Sequence, residues 1–173
     1  MPERPQGFIT MPAASPLLPS DIDLDQLPGH CIRRLQQVAV AIFMQEAEPD
    51  GATPVQYAVL HAVASQPGID QRTLARAVSL DTSTIGGVVD RLETRGLLAR
   101  QLSPKDRRVR LLQLTRAGEE LLAALVPAMT RTQERILEPL PERERREFMR
   151  MMQTLLAQHA ELATASPGKA DAG

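Results

Sequence analysis

At 173 residues the chain has room for about one domain and none for a second, catalytic one. Its composition, 43% hydrophobic, 24% charged in both signs and 2% aromatic, excludes wholesale disorder; the core must come from Leu, Val, Ile, Met and Ala, which suits helices better than a β-sandwich. A formal charge of −1 and a single cysteine, Cys31, exclude a uniformly basic protein, an intrachain disulfide framework and a Cys-rich zinc site, and make a reducing cytoplasm the expected location.

Residues 1–22 read as a disordered tail, because Pro2, Pro5, Pro12, Pro16 and Pro19 interrupt the apolar residues before a secretory signal could form. No apolar run in the chain approaches the roughly 18 residues of a membrane span. Residues 23–50 form the next unit. Leu24, Leu27, Cys31, Leu35, Val38 and Ile42 recur every three or four residues, the apolar stripe of a helix whose regular part begins near Pro28. Glu48-Pro-Asp-Gly51 ends it with turn residues.

Residues 51–116 carry the densest local signals. Thr53-Pro54 opens a second helix, with Thr as cap and Pro at the position where a missing N–H costs nothing, and Gln66-Pro67-Gly68 stops it. Asp70 caps a short third helix through Val78, and Asp81 or Thr82 caps a fourth that ends at Gly96. Two short helices joined by Ser79-Leu80-Asp81 make a helix-turn-helix. The period then changes: Leu97–Leu102 and Val109–Leu114 read as strands, with residues 103–108 as a hairpin loop.

Residues 117–164 return to helical spacing. Thr115 caps a fifth helix carrying Leu122, Leu125, Met129 and Ile136, with a kink expected at Pro127 and a stop at Pro139. A sixth runs from Pro141 to about Ala163 with Phe148, Met152, Leu155 and Leu162 on one face, and residues 165–173 are expected to fray. The stripes of the first, fifth and sixth helices exceed what so small a central domain could cover. They point to a homodimer, the alternative being that they cover one another within a monomer.

The neutral average hides a segregation of charge. Asp70 to Arg116 carries a balance of +5 between flanks of −4 and −2, and 18 of the 20 basic residues are the forked, phosphate-matching arginine. On the fourth helix Ile85, Val88, Val89 and Leu92 cluster, which leaves a face of Ser83, Gly87, Asp90 and Thr94 flanked by Thr84 and Arg91. Small hydroxyls and a glycine on an exposed face let a helix approach base edges in a major groove. Gly86 fits close helix packing better, and Gly87 the groove. Asp90 would repel phosphates and has no basic neighbour three or four residues away, so its partner must come from elsewhere, with Arg110 a candidate. In the hairpin loop Lys105-Asp106-Arg107-Arg108, adjacent arginines can enter a narrow minor groove; the alternative is a solvated charged turn.

Asp81-Thr-Ser-Thr-Ile-Gly-Gly-Val-Val-Asp-Arg-Leu-Glu-Thr-Arg-Gly-Leu-Leu-Ala-Arg100, followed by Asp106-Arg-Arg108 and Leu112-Gln-Leu-Thr-Arg-Ala-Gly118, resembles the MarR family of winged helix-turn-helix regulators, and the likeness extends over roughly residues 24–163. The resemblance implies a mainly α fold with a small β-hairpin wing and a helical dimerisation region, and a cytoplasmic dimer reading palindromic double-stranded operator DNA. Thr82, Ser83, Thr84, Gly87 and Arg91 then fall on the reading helix, and Asp106, Arg107 and Arg108 on the wing. The pair Gly86-Gly87 departs from the commoner polar residues there.

The resemblance also implies that a small, often aromatic and acidic, effector releases the DNA. Candidate ligand groups are His30 with Arg33 and Tyr57 with His61, two pairs at helical spacing. The opening Leu27-Pro-Gly-His-Cys-Ile-Arg-Arg34 is similar to the aromatic-acid branch that includes nicotinate-degradation repressors. Two alternatives stand beside this: a redox-sensing repressor using Cys31, although its place on the apolar stripe suits an inert packed thiol, and a non-specific architectural DNA binder. Three histidines without a His-x-x-x-His spacing and one cysteine give no metal site, cofactor or catalytic triad, so no enzyme is expected.

Overall fold

The computed structural model describes residues 23–104, 106 and 108–160. The expected tails, and with them Lys105 and Arg107 of the hairpin loop, lie outside the described residues. The chain divides into two units at Gln37/Val38, inside the first helix.

In the first unit the Asp23 carboxylate accepts from Asp25 N and caps a single 3-10 turn, Leu24–Gln26. Helix α1, Pro28–Glu46, starts where Pro28 places it. Along this stretch Leu27, Ile32 and Leu35 are exposed, as is Cys31, whose thiol donates to Asp25 O at 3.2 Å. In the single chain, then, Cys31 is not the packed thiol that its stripe suggests.

The second unit begins with the end of α1, where Phe43 and Ala47 are buried. A 3-10 turn, Glu48–Asp50, closes on Gly51, whose φ of 60° is the left-handed conformation a glycine adopts without cost. Helix α2 is Pro54–Ser65, opened by a complete capping box in which Thr53 and Gln56 each receive the other's backbone N–H. Strand β1, Ile69–Asp70, was not expected: two residues between Gly68 and the next cap carry no alternation to read. Helices α3, Gln71–Ala77, and α4, Thr82–Thr94, follow, then β2, Leu98–Leu102, and β3, Arg110–Leu114. Helix α5, Arg116–Leu137, remains helical through Pro127, and α6 spans Glu142–Gln158.

The sheet is antiparallel in the order β1-β3-β2. Leu112, central in β3, pairs with Ile69 on one side and Arg100 on the other. Around it Leu60, Leu74, Ile85, Val89, Leu92 and Leu98 form the main core, joining α2, α3, α4 and the sheet. A second cluster of Phe43, Ala47, Ala52, Leu125 and Ala128 ties the end of α1 to α5. There the Glu46 carboxylate accepts from Arg131 Nε at 2.6 Å and from Arg135 Nη1 at 2.7 Å, and these guanidinium groups, Arg131 first, hold it below the usual carboxylate range. Helix α6 buries nothing, and Met151, Leu155 and Leu156 are exposed. Among the described residues no helix is long and apolar enough to cross a membrane.

Gly118, in the first turn of α5, is fixed by a close approach. A Cβ there would lie 2.1 Å from the Leu97 carbonyl oxygen. Thr115 caps the same turn and donates its hydroxyl to Gly96 O at 2.6 Å, so the start of α5 is sewn to the connection between α4 and β2.

Candidate functional site

The helix-turn-helix is assembled by two aspartates. Asp70 Oδ1 accepts from Arg72 N and Thr73 N, while its Oδ2 accepts from Thr73 Oγ1 at 2.6 Å. Asp81 does the same for α4: Oδ1 accepts from Thr84 N at 2.8 Å and Ser83 Oγ at 2.5 Å, and Oδ2 from Thr84 Oγ1 at 2.5 Å. These donors, led by the Ser83 and Thr84 hydroxyls, hold the Asp81 carboxyl far below the usual range. Of the two caps the sequence allowed for α4, the structure uses Asp81. Ser79 takes a φ of 55° in the connecting turn.

Helix α4 turns Ile85, Val88, Val89 and Leu92 inward and leaves Thr82, Ser83, Thr84, Asp90, Arg91 and Thr94 exposed. The two glycines divide as their faces suggest. A Cβ at Gly86 would meet Gln71 Nε2 of α3 at 3.2 Å, whereas one at Gly87 would meet only Arg91 Nη1 at 3.5 Å.

The partner of Asp90 is Arg100, not Arg110. Arg100 Nη2 lies 2.5 Å from Asp90 Oδ1, and its Nη1 pairs with Glu93. Strand register decides the matter: Arg100 stands opposite Leu112 in mid-sheet, beside α4, while Arg110 pairs with Leu102 at the far end of the wing and is exposed. At the wing tip the Asp106 carboxylate accepts from Arg108 N at 2.9 Å, a local Asx bond that shapes the loop, and Arg108 itself is exposed. Arg72, Arg76, Arg91, Arg108 and Arg110 are all exposed and have no ion-pair partner among the described residues. The positive excess of this region is therefore available to an anionic partner.

A cleft of about 350 Å³ lies in the second unit, walled by Pro54, Tyr57, Ala58, His61 and Ala62 of α2, Ala77 and Val78 at the end of α3, and Met129 of α5. Tyr57 stands between Phe43 and His61, with ring centroids 6.0 Å from each, and its ring is tilted only 27° from His61. The structure thus brings together two of the four ligand candidates. Met129, Ala77 and Val78 were missed because apolar residues in separate elements give no signal of converging on one cleft. A larger groove of about 590 Å³ between α2, β3 and α5 has Glu119 as its only charged wall residue. The other candidate pair belongs to the first unit. There His30 Nε2 is 3.8 Å from Asp25 Oδ1, Arg34 makes the ion pair to Asp25 at 2.7 Å, and Arg33 is exposed.

A helix-turn-helix followed by a two-stranded wing, with exposed arginines on both, defines a winged helix-turn-helix protein. The chain belongs to the MarR family of transcriptional regulators and is not an enzyme: the MarR family model matches residues 50–109, and likeness to individual members runs well beyond that span. It is 31% identical over 147 residues to the HTH-type transcriptional repressor NicR of Pseudomonas putida, covering 85% of this chain and 93% of that protein. The structure of the PcaV transcriptional regulator from Streptomyces coelicolor, solved in complex with its natural ligand, is similar at a TM-score of 0.72 and 38% identity, over 79% of this chain and 96% of that one. The structure of Bordetella bronchiseptica BpsR, concerned with regulation of its DNA binding by 6-hydroxynicotinic acid, is similar at 0.73 and 30% identity, over 78% and 96%.

Proposed function

We propose that this chain is a homodimeric repressor that binds near-palindromic operator DNA and releases it when a small aromatic acid enters the cleft between α2, α3 and α5. The observation that carries the reading is the position of Ala77 and Val78. They wall the cleft and are also the last residue of α3 and its C-cap, just before the turn into α4, so a ligand that fills the cleft acts directly on the seating of the helix-turn-helix. The Tyr57–His61 pair supplies a ring wall for an aromatic ligand. The larger groove suits an acid less, since Glu119 would repel it. The likeness to BpsR, whose DNA binding is regulated by an aromatic acid, supports the same ligand class.

Arg33, exposed and without an ion pair among the described residues, and the half-buried His30 are each a candidate donor to an acid's carboxylate, Arg33 being the stronger. Thr82, Ser83, Thr84, Gly87 and Arg91 meet the major groove, and Asp106, Arg107 and Arg108 bring the wing to the flanking minor groove. The exposed apolar residues of α1 and α6 meet a second copy of the chain, which sets half-sites about 10 bp apart.

The test is operator release by the full-length protein, using a duplex selected from a random library, 6-hydroxynicotinate and simple hydroxybenzoates, with peroxide in parallel. Arg33→Ala is expected to weaken effector affinity about ten- to a hundredfold and leave effector-free DNA affinity unchanged, because the bond lost is one to a charged group. Cys31→Ser is expected to respond normally. A Cys31→Ser protein deaf to every signal would replace this reading with a redox switch.

A further inference from the structure

We infer that Asp81 makes Ser83 and Thr84 obligate hydrogen-bond acceptors toward DNA, so that these residues read the exocyclic amines of adenine or cytosine and contact neither phosphates nor guanine. The inference rests on the reading that α4 enters the major groove.

A hydroxyl has one proton to donate and two lone pairs to accept with. An ionised aspartate can only accept. The separations of 2.5 Å from Ser83 Oγ to Asp81 Oδ1 and from Thr84 Oγ1 to Asp81 Oδ2 therefore fix both protons on the carboxylate. Both side chains are exposed, so their lone pairs remain free to solvent or to a partner. Phosphate oxygens, guanine N7 and O6 and thymine O4 are all acceptors, and none can pair with a hydroxyl whose proton is already committed. The donors on the major-groove edge are adenine N6 and cytosine N4. Thr82, one residue earlier, accepts from Gln71 Nε2 only through its backbone carbonyl; its hydroxyl has no hydrogen-bond partner among the described residues and keeps its proton, so it is the hydroxyl on this turn that suits a phosphate. Bringing DNA close strengthens the arrangement, since a carboxylate near phosphates loses more by giving up its two hydroxyl donors than it does in water.

The probe is a duplex selected from a randomised library by the full-length protein. Single adenines are then replaced by purine and single cytosines by 2-pyrimidinone, each deleting the amine, and single purines by 7-deazapurines, each deleting the N7 acceptor. Amine deletion at one position per half-site is expected to weaken the parent about tenfold while leaving Ser83→Ala unaffected, with Thr84→Val behaving likewise at its own position. Asp81→Asn keeps an N-cap but presents an amide NH2 that occupies a hydroxyl as acceptor and frees its proton; its sensitivity is expected to move from the amine to N7. Coupling of Ser83 and Thr84 to N7 in the parent would overturn the inference, as would variants that weaken every duplex equally with a smaller salt slope. Either result leaves the regulator reading in place. Selection that enriches no sequence at all would overturn both.

Discussion

Arg100, on the first strand of the wing, holds Asp90 of α4 with Nη2 2.5 Å from Oδ1, and the same guanidinium grips Glu93 one turn further along. One largely buried cation thus ties the wing to α4, the two elements proposed to meet DNA, and it neutralises Asp90, the exposed carboxylate on α4 that phosphates would repel. Arg100→Ala is expected to lower stability by about 1–2 kcal/mol, the value of charge-assisted bonds discounted for the exposure of both carboxylates. Operator affinity should fall further than stability explains, and Asp90→Asn added to Arg100→Ala should recover part of it. Urea denaturation and binding measured on the three variants check this; a double variant no better than Arg100→Ala would mean that repulsion by Asp90 plays no part.

Three glycines separate packing from recognition. At Gly118 a Cβ would lie 2.1 Å from the Leu97 carbonyl, a backbone atom that cannot step aside, so Gly118→Ala is expected to cost about 2–3 kcal/mol. At Gly86 the contact is the end of the flexible Gln71 side chain at 3.2 Å, and the helical preference for Ala over Gly should leave Gly86→Ala neutral or up to about 1 kcal/mol more stable. Gly87→Ala meets only an ordinary contact with Arg91. It should therefore gain about the same stability but bind operator less well, because in the proposed reading the added methyl would face the groove. Thermal melts alongside binding isotherms test the set, and a Gly87→Ala protein with parental affinity would remove that position from the interface.

Acid should loosen the helix-turn-helix only once ordinary carboxylates have begun to lose their charges. Asp70 and Asp81 are both held below the ordinary aspartate range, first by the hydroxyls of Thr73 and of Ser83 respectively. A carboxyl whose folded-state pKa is depressed contributes stability that is complete above its unfolded value, about 3.9, and is lost as pH falls through the folded one. Stability should therefore be flat from neutral pH to about 5 and decline below 4. Asp70→Asn, which still caps but cannot titrate, should show a shallower decline, measurable as urea midpoints against pH. An unchanged slope would mean that Asp70 is no more favourably placed in the folded chain than in the unfolded one.

What the sequence made legible was the chemistry that acts over a few residues. Thr53-Pro54, Asp70, Asp81 and Gly96 mark helix ends because caps and left-handed glycines answer to their immediate neighbours, and each stands where its local pattern puts it. Features that depend on register were out of reach. Arg100 and Arg110 are equally plausible partners for Asp90 until the pairing of β2 with β3 decides which of them sits beside α4. Strand β1 exists only because Ile69 and Asp70 find Leu112 and Leu111 some forty residues away. Gly118 appeared as part of a resemblance, and its physical reason, the Leu97 carbonyl, appears only once the sheet and α5 are joined. In the same way Tyr57 and His61 announced their shared face by spacing, while Met129 gave no sign that it closes the same cleft.

The last prediction concerns the wing. Arg108 is exposed and has no ion-pair partner among the described residues, and its backbone is held by the bond from its own N–H to Asp106 Oδ1 at 2.9 Å. If it meets a phosphate or the charged floor of a minor groove, Arg108→Ala removes one cation from the interface and should reduce the slope of log affinity against log salt by about one. The loss should be similar for operator and unrelated duplexes, since a backbone contact carries no sequence information. Asp106→Ala makes the test sharper. It removes no positive charge, yet by releasing the turn it should weaken operator binding while leaving the salt slope nearly at the parental value. Sedimentation should give the same mass for both variants as for the parent, because the substitutions lie in the wing and not on α1 or α6. Titrations at several salt concentrations check all of this, and an Arg108→Ala protein with the parental slope would take Arg108 out of the DNA contact.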